Sequence, residues 1–250
     1  MAVALVTGAA RGIGAAVVRR LVADGHRVVA LDSCEGPPLA TREDLEALAS
    51  PDVHPVVADV RDRSALERAV AETVERWGNL DLAVAGAAVM RGGAPLWETP
   101  EADVDELLDV DLRGVWNTAA AVVPAMLAGP DPSRCRFVAL ASAAGHTGLF
   151  RLAAYTVAKH GVVGLVRGLA ADLVGTGVVA CGISPGSTDT AMLHATSDIY
   201  GVPVAELVSH QGLGRVLTPE EIAATVGFAC SVEGAVLHGR VVRADGGFGA

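Results

Sequence analysis

Short apolar runs alternating with helix-period stretches leave very few architectures open to this chain. Seven such runs can be read, from Ala2 to Val6, Arg27 to Leu31, His54 to Ala58, Leu80 to Ala85, Arg136 to Ala141, Val178 to Ile183 and Gly239 to Ala244. Most lack strict apolar/polar alternation, the pattern of strands buried on both faces, and strands separated by helices pair in parallel through crossovers. The expected fold is therefore α/β, a doubly wound, seven-stranded parallel sheet with helices on both faces. A length of 250 residues with no linker suits one domain over residues 1–250, and 51% apolar content with 29 glycines suits a buried sheet with tight turns.

Between the runs, Thr41 is placed as the N-cap of a short helix reaching about Ala49, with Asp44 completing a capping-box variant. Ser64 to Trp77 is amphipathic, with Leu66, Val70 and Val74 on its inner face. Val104 to about Leu127 is a long helical pattern, interrupted by Gly114 and Pro124 and apolar on nearly all sides, so part of it is expected in a subunit interface. Further helices are expected over Ala153 to Leu173 and, after N-cap Thr218, from Pro219 to about Cys230. Residues 191–214 are mixed and polar, and read as a lid.

The first strand runs into Thr7-Gly8-Ala9-Ala10-Arg11-Gly12-Ile13-Gly14, which opens a helix. Glycines there let the backbone turn sharply and approach a pyrophosphate, whose charge the helix N-terminus stabilises. The second strand ends in Asp32, where a carboxylate can accept from an adenosine ribose and repel a 2′-phosphate. That favours NAD over NADP. Arg11 is the contrary sign, outweighed because Ser33 and Cys34 offer no cation.

Tyr155 and Lys159 stand one helical turn apart on one face, so a phenol and an ammonium reach one small volume. The positive charge stabilises a phenolate, which proton transfer near neutral pH requires. Ser142, thirteen residues before Tyr155 at the end of a strand, can hydrogen-bond the same substrate oxygen.

A net charge of −10 argues against nucleic acid or an anionic membrane as partner. Cys34, Cys135, Cys181 and Cys230 form no C-x-x-C pair and suit a reducing cytoplasm, and the N-terminus reads as a strand rather than a signal peptide. No run reaches membrane-spanning length, no spacing suggests a metal, and Gly-x-Ser-x-Gly is absent around Ser142. His146, His194 and His210 are candidate substrate contacts. Met192, Leu193, Ile199, Tyr200 and Val202, facing Leu149 and Phe150, are candidates for an apolar substrate wall favouring a hydrophobic secondary alcohol or ketone over a sugar.

Taken together, Thr7-Gly8-x-x-x-Gly12-Ile13-Gly14, Asp32, Asp59-Val60, Ser142, Tyr155-x-x-x-Lys159 and Pro185-Gly186-x-x-x-Thr190 resemble the short-chain dehydrogenase/reductase family, in order and spacing, over essentially the whole chain. The resemblance implies an NAD(P)-dependent oxidoreductase acting on an alcohol/carbonyl pair. In it Tyr155 is the general acid/base, Ser142 holds the substrate oxygen, and Lys159 binds the nicotinamide ribose and keeps the tyrosine acidic. It places Asp59-Val60 near adenine, Ala85-Gly86 beside the cofactor, and Pro185 to Thr190 around the nicotinamide with Thr188 near its carboxamide. A homotetramer through the two long helices is also implied. Lowering a phenol pKa from ~10 to ~7 takes about 4 kcal/mol, within reach of Lys159 plus an oxidised nicotinamide.

Two departures stand out. The family's Asn-Asn-Ala-Gly is Ala85-Gly86-Ala87-Ala88 here, and its helix asparagine, which holds a relay water beside the lysine, is Asp111. An ionised aspartate accepts but cannot donate, and pairs electrostatically with Lys159 if close. A rival reading is a nicotinamide-binding scaffold or redox sensor without turnover. Residues 32–45, Pro95-Leu-Trp97-Glu-Thr-Pro100 and Arg151-Leu-Ala-Ala-Tyr155 further resemble the mycofactocin-coupled branch, in which a loop after the second strand covers a retained cofactor and electrons pass to a peptide-derived redox carrier.

Overall fold

The computed structural model describes residues 1–208 and 211–249. Its strands are β1 (Val3–Thr7), β2 (Arg27–Asp32), β3 (Val53–Val57), β4 (Leu82–Ala85), β5 (Arg136–Leu140), β6 (Val179–Pro185) and β7 (Val241–Ala244). They form one all-parallel sheet in the order β3-β2-β1-β4-β5-β6-β7, as expected of a doubly wound fold. The helices are α1 (Gly12–Ala23), α2 (Arg42–Glu46), α3 (Arg63–Trp77), α4 (Glu101–Leu107), α5 (Gly114–Ala128), α6 (Ala153–Asp172), α7 (Ala191–Tyr200), α8 (Val204–Leu207) and α9 (Pro219–Cys230).

Side chains alternate across a strand, and β1 uses both directions. Val3 and Leu5 join one apolar cluster with Leu66 of α3, Val115 of α5 and Val162 of α6. Ala4 and Val6 join a second with Val17 of α1 and Val226 of α9. Every residue of β1, β4, β5 and β6 is buried, whereas the edge strands β3 and β7 are only partly so. An edge tolerates Pro55 in β3, because proline lacks a ladder donor. The capping boxes at Thr41 and Thr218 form as the sequence suggests.

The structure departs from the sequence reading in three places. First, β6 continues through Ser184 and Pro185 instead of breaking there, because both pair with β7, at Arg243 and Ala244. Second, the long helix is continuous past Gly114 and Pro124, and its irregularity is a π turn at Leu108–Arg113 that joins α4 to α5. Gly114 is instead a packing position, where an added Cβ would lie 2.5 Å from Cγ2 of Val60. Third, the lid segment includes two regular helices, α7 and α8. His210 lies outside the described residues.

Candidate active site

Strand order reverses between β1 and β4, and a crevice opens beyond the carboxyl ends of strands at such a point. Here a cleft of about 770 Å³ carries Gly8, Arg11, Gly12, Ile13, Gly14, Asp32, Asp59 and Val60 on its walls. The same cleft takes in Gly86, Ser142, Tyr155, Lys159, Pro185, Gly186, Thr188 and Thr190, and extends to Leu149, Met192 and Tyr200.

The glycine turn has the shape its residues suggest. Gly8 sits at φ 68° and Gly12 at φ 53°, in the left-handed region, and a Cβ on Gly14 would fall 1.9 Å from the Gly8 carbonyl oxygen. Arg11 precedes α1 in extended conformation and gives it no side-chain cap, whereas Thr41, Asp62, Thr190 and Thr218 cap α2, α3, α7 and α9. The first amides of α1 are thus left for an anion in the cleft. Oδ2 of Asp32 accepts from the Ala10 amide at 3.1 Å and Oδ1 from the Cys34 amide at 3.3 Å, which fixes the carboxylate on the cleft wall. The Arg11 guanidinium donates to the Pro38 carbonyl at 2.6 Å, and Arg61 pairs with Asp59 at 2.6 Å and with Glu35, tethering the loop after β2 from both sides. An uncapped helix start, a glycine cradle and a fixed carboxylate together fit a dinucleotide.

At the β4 end the backbone compensates for the missing asparagines. Oγ1 of Thr7 accepts from the Gly86 amide at 3.1 Å and the Ala87 amide at 3.4 Å. A Cβ on Gly86 would come within 2.9 Å of the Thr7 carbonyl oxygen, so this close packing excludes a side chain there. Ala85 needs correcting as a cofactor contact. It is the last β4 residue, packed in the core between Thr7 and Ala139, and Gly86 to Val89 form the wall in its place.

Tyr155 and Lys159 project from α6 as their spacing implies, 5% and 2% exposed, with Nζ 5.6 Å from the phenol ring centre. Ser142, two residues beyond β5, lies close enough to the phenol to draw its pKa down. Asp111, completely buried on the π turn, stands behind Lys159 rather than on the cleft wall, its Oδ2 3.2 Å from Nζ. The Val89 amide donates to Oδ1 at 2.8 Å, but Oδ2 has no well-aligned hydrogen bond, so its contact with Nζ is chiefly charge on charge. Nζ also reaches the Leu140 carbonyl at 3.4 Å.

Burial pushes the Tyr155 phenol up; Lys159 and Ser142 pull it down, but Asp111 adds to the rise and the net direction is upward. Lys159 by itself therefore does not make the phenol acidic: burial, with Asp111 adding to it, outweighs the ammonium. Burial draws the Lys159 ammonium down, yet Asp111 and Tyr155 outweigh it and hold the amine charged. On Asp111, burial opposes ionisation while Lys159 and the Val89 amide favour it. We take the two as an ion pair, since each charge is the other's main compensation.

The family model for enoyl-(acyl carrier protein) reductase matches residues 8–249 of this chain, the whole span that builds the cleft. This chain belongs to the short-chain dehydrogenase/reductase family. It is 34% identical to an uncharacterized oxidoreductase of Mycobacterium tuberculosis (98% of this chain, 95% of that protein). A 2-dehydro-3-deoxy-L-rhamnonate dehydrogenase (NAD(+)) of a Sphingomonas species is 31% identical, over 92% of this chain and 88% of its own. Carveol dehydrogenase from Mycobacterium avium, solved in complex with NAD, superposes with a TM-score of 0.92 at 30% identity, covering 98% of this chain and 96% of its own.

In this short-chain dehydrogenase/reductase the histidine candidates His146 and His194 do not reach the cleft. Nε2 of His146 meets Oγ of the buried Ser184 at 2.8 Å, so its ring is turned towards β6 and not towards the cleft. Burial, then the nearby Arg243, lower its pKa. His194 is exposed and faces Asp189 at 3.4 Å. Leu149, Phe150, Met192, Leu193, Tyr200 and Val202 do line the cleft, whereas Ile199 packs into the adjoining core. The Tyr200 hydroxyl donates to the Phe150 carbonyl at 2.7 Å, latching α7 to the loop after β5. Sequence reasoning missed Asn117, whose Nδ2 donates to the Val60 carbonyl at 2.9 Å and holds that turn against α5. It also missed Leu207 and Phe248, which complete the apolar wall. Nothing local marks these three, because their role depends on what packs beside them. Among the described residues no group of His, Cys, Asp or Glu could hold a metal, and no helix is long and apolar enough to cross a membrane.

Proposed function

We propose that this oxidoreductase uses NAD(H) to interconvert a hydrophobic secondary alcohol and its ketone. The observation that carries this reading is that Ser142, Tyr155 and Lys159 border the same cleft as the glycine turn and Asp32. NAD bound along that cleft supplies the hydride carrier. The first amides of α1 bind its pyrophosphate, Asp32 its adenosine ribose, Asp59 and Val60 the adenine end, and Pro185 to Thr190 the nicotinamide end. Lys159 binds the second ribose, Ser142 orients the substrate oxygen, and Tyr155 holds or gives the proton at its hydroxyl. Leu149, Met192, Leu193 and Val202 favour an apolar substrate, and the Met192 sulfur, 3.9 Å from the Tyr155 hydroxyl, is a side chain adaptable enough to yield to it. The NAD named for the Sphingomonas relative and bound in the carveol dehydrogenase supports the choice of nucleotide. Native mass spectrometry for NAD(H), then a panel of secondary alcohols with an artificial acceptor, tests the reading; absence of nicotinamide binding sinks it.

The preference for NAD has its own test. Replacing Asp32 with Ser removes a charge that opposes a 2′-phosphate, so kcat/KM with NADP should rise about 10- to 100-fold relative to NAD, a repulsion of roughly 1.4–3 kcal/mol. An unchanged ratio would move the discrimination elsewhere.

We further read the loop after β2 as a strap that retains the cofactor, as in the mycofactocin-coupled branch, with a mycofactocin-type carrier exchanging electrons with it. Its tethers, Arg11 to Pro38 and Arg61 to Glu35, support this, and cofactor that dialyses away freely would count against it. Trp116 of α5 and Val157 of α6, 62% and 57% exposed, suit a homotetramer built on those helices, which light scattering would check. Four free cysteines suit work in a reducing cytoplasm.

A further inference from the structure

We infer that Asp111 is a positioning residue that offsets the charge of Lys159 and so helps keep Tyr155 protonated at neutral pH, making the site a proton donor to carbonyls that oxidises alcohols only in alkaline solution. The inference rests on the functional reading above and adds the working direction. Its geometric basis is the buried contact of 3.2 Å between Oδ2 and Nζ, with Oδ1 held by the Val89 amide and Oδ2 lacking any other partner. Asp111 cannot turn away, because the π turn that carries it is packed against α6 and the carboxylate is wholly buried.

The groups acting on the phenol come from three elements. Lys159 lies on its own helix, Asp111 on the π turn, and Ser142 after β5; α7 contributes only the uncharged Met192. Glu106, on α4, is a further negative charge felt by Asp111, itself paired with Arg91 at 2.7 Å. With a neutral asparagine at position 111, Lys159 would present a full positive charge to the phenol. With aspartate the pair presents a dipole, and the phenolate loses part of that support.

The consequence has a definite sign. Reduction moves the Tyr155 proton onto the carbonyl oxygen while hydride from NADH forms the new C–H bond, and it needs the phenol. Oxidation runs these transfers backwards and needs the phenolate. Raising the phenol's pKa therefore keeps reduction available across neutral pH and carries the onset of oxidation upwards.

Tyr155 and Tyr200 are the 2 tyrosines of the chain, so a Tyr200→Phe background isolates Tyr155 in an ultraviolet titration of tyrosinate without cofactor. Adding Asp111→Asn should move the midpoint about one to two pH units towards acid, the effect of removing one charge several ångströms away at an effective dielectric near 20. A superimposable curve, or a shift towards alkali, overturns the inference. Should that variant fold poorly, Asp111→Ala in the same titration serves, and the unsubstituted enzyme offers a second reading. Its alcohol oxidation should still be rising well above neutral pH while ketone reduction is already maximal there, and a flat oxidation profile through neutrality overturns the proposal. These outcomes are separable from failure of the functional reading, which would show as turnover surviving Tyr155→Phe.

Discussion

Exchanging Tyr155 for phenylalanine is expected to lower turnover about 100- to 10,000-fold, the range for removing a positioned acid/base, while the protein still folds and binds NAD. The ring belongs to the apolar cluster beneath the sheet, so phenylalanine keeps the packing. Only the hydroxyl is lost. Its near neighbours include Ser142 and, at a long approach, the Met192 sulfur, and losing either leaves no buried charge behind. The loss should fall on kcat with little change in KM, because the proton moves in the transition state rather than in the bound complex. Steady-state kinetics beside calorimetric NAD binding would decide the matter. A scaffold or sensor would be unaffected, and unimpaired turnover would remove Tyr155 from the chemistry altogether.

Replacing Lys159 with methionine should cost about 3–5 kcal/mol of stability in addition to activity, because it strands the buried Asp111 carboxylate. Methionine matches the length and much of the volume of lysine, so little of this loss reflects a cavity. Burial already pushes the Asp111 carboxyl up, and removing the ammonium that opposes this drives it higher. A folded-state pKa above the unfolded value gives stability that is present at acid pH and lost as pH rises through the folded value. The urea midpoint of the variant should therefore lie nearest the unsubstituted protein in mild acid and fall away towards neutrality. Adding Asp111→Asn should recover most of the difference, since an amide still accepts from Val89 without a charge. A deficit independent of pH and indifferent to the second substitution would mean that the pair carries no net charge coupling.

Much of the site was legible because its signals are local. Tyr155 and Lys159 share a face of α6 because four residues nearly complete a helical turn, and Gly8, Gly12 and Gly14 shape a turn whose contacts span only a few residues. Asp111 was readable as a departure from the family pattern, but its consequence was not. Whether a carboxylate beside a lysine forms an ion pair, titrates or turns away depends on burial, and burial belongs to the folded molecule. His146 failed as a substrate contact for the same reason: the residue lies near the mouth in sequence, yet Ser184, from β6, captures its ring.

By itself the sequence determined the strand and helix periods, the capping boxes at Thr41 and Thr218, the glycine turn and the residues able to exchange a proton, since each follows from backbone sterics or spacing within a few residues. Tertiary structure alone decided that Ala85 faces the core, that Arg11 is engaged by the Pro38 carbonyl, that Asn117 braces Val60 and that Asp111 offsets the charge of Lys159. These are contacts between distant segments, where the approach of a second chain element sets both the partner and the local dielectric.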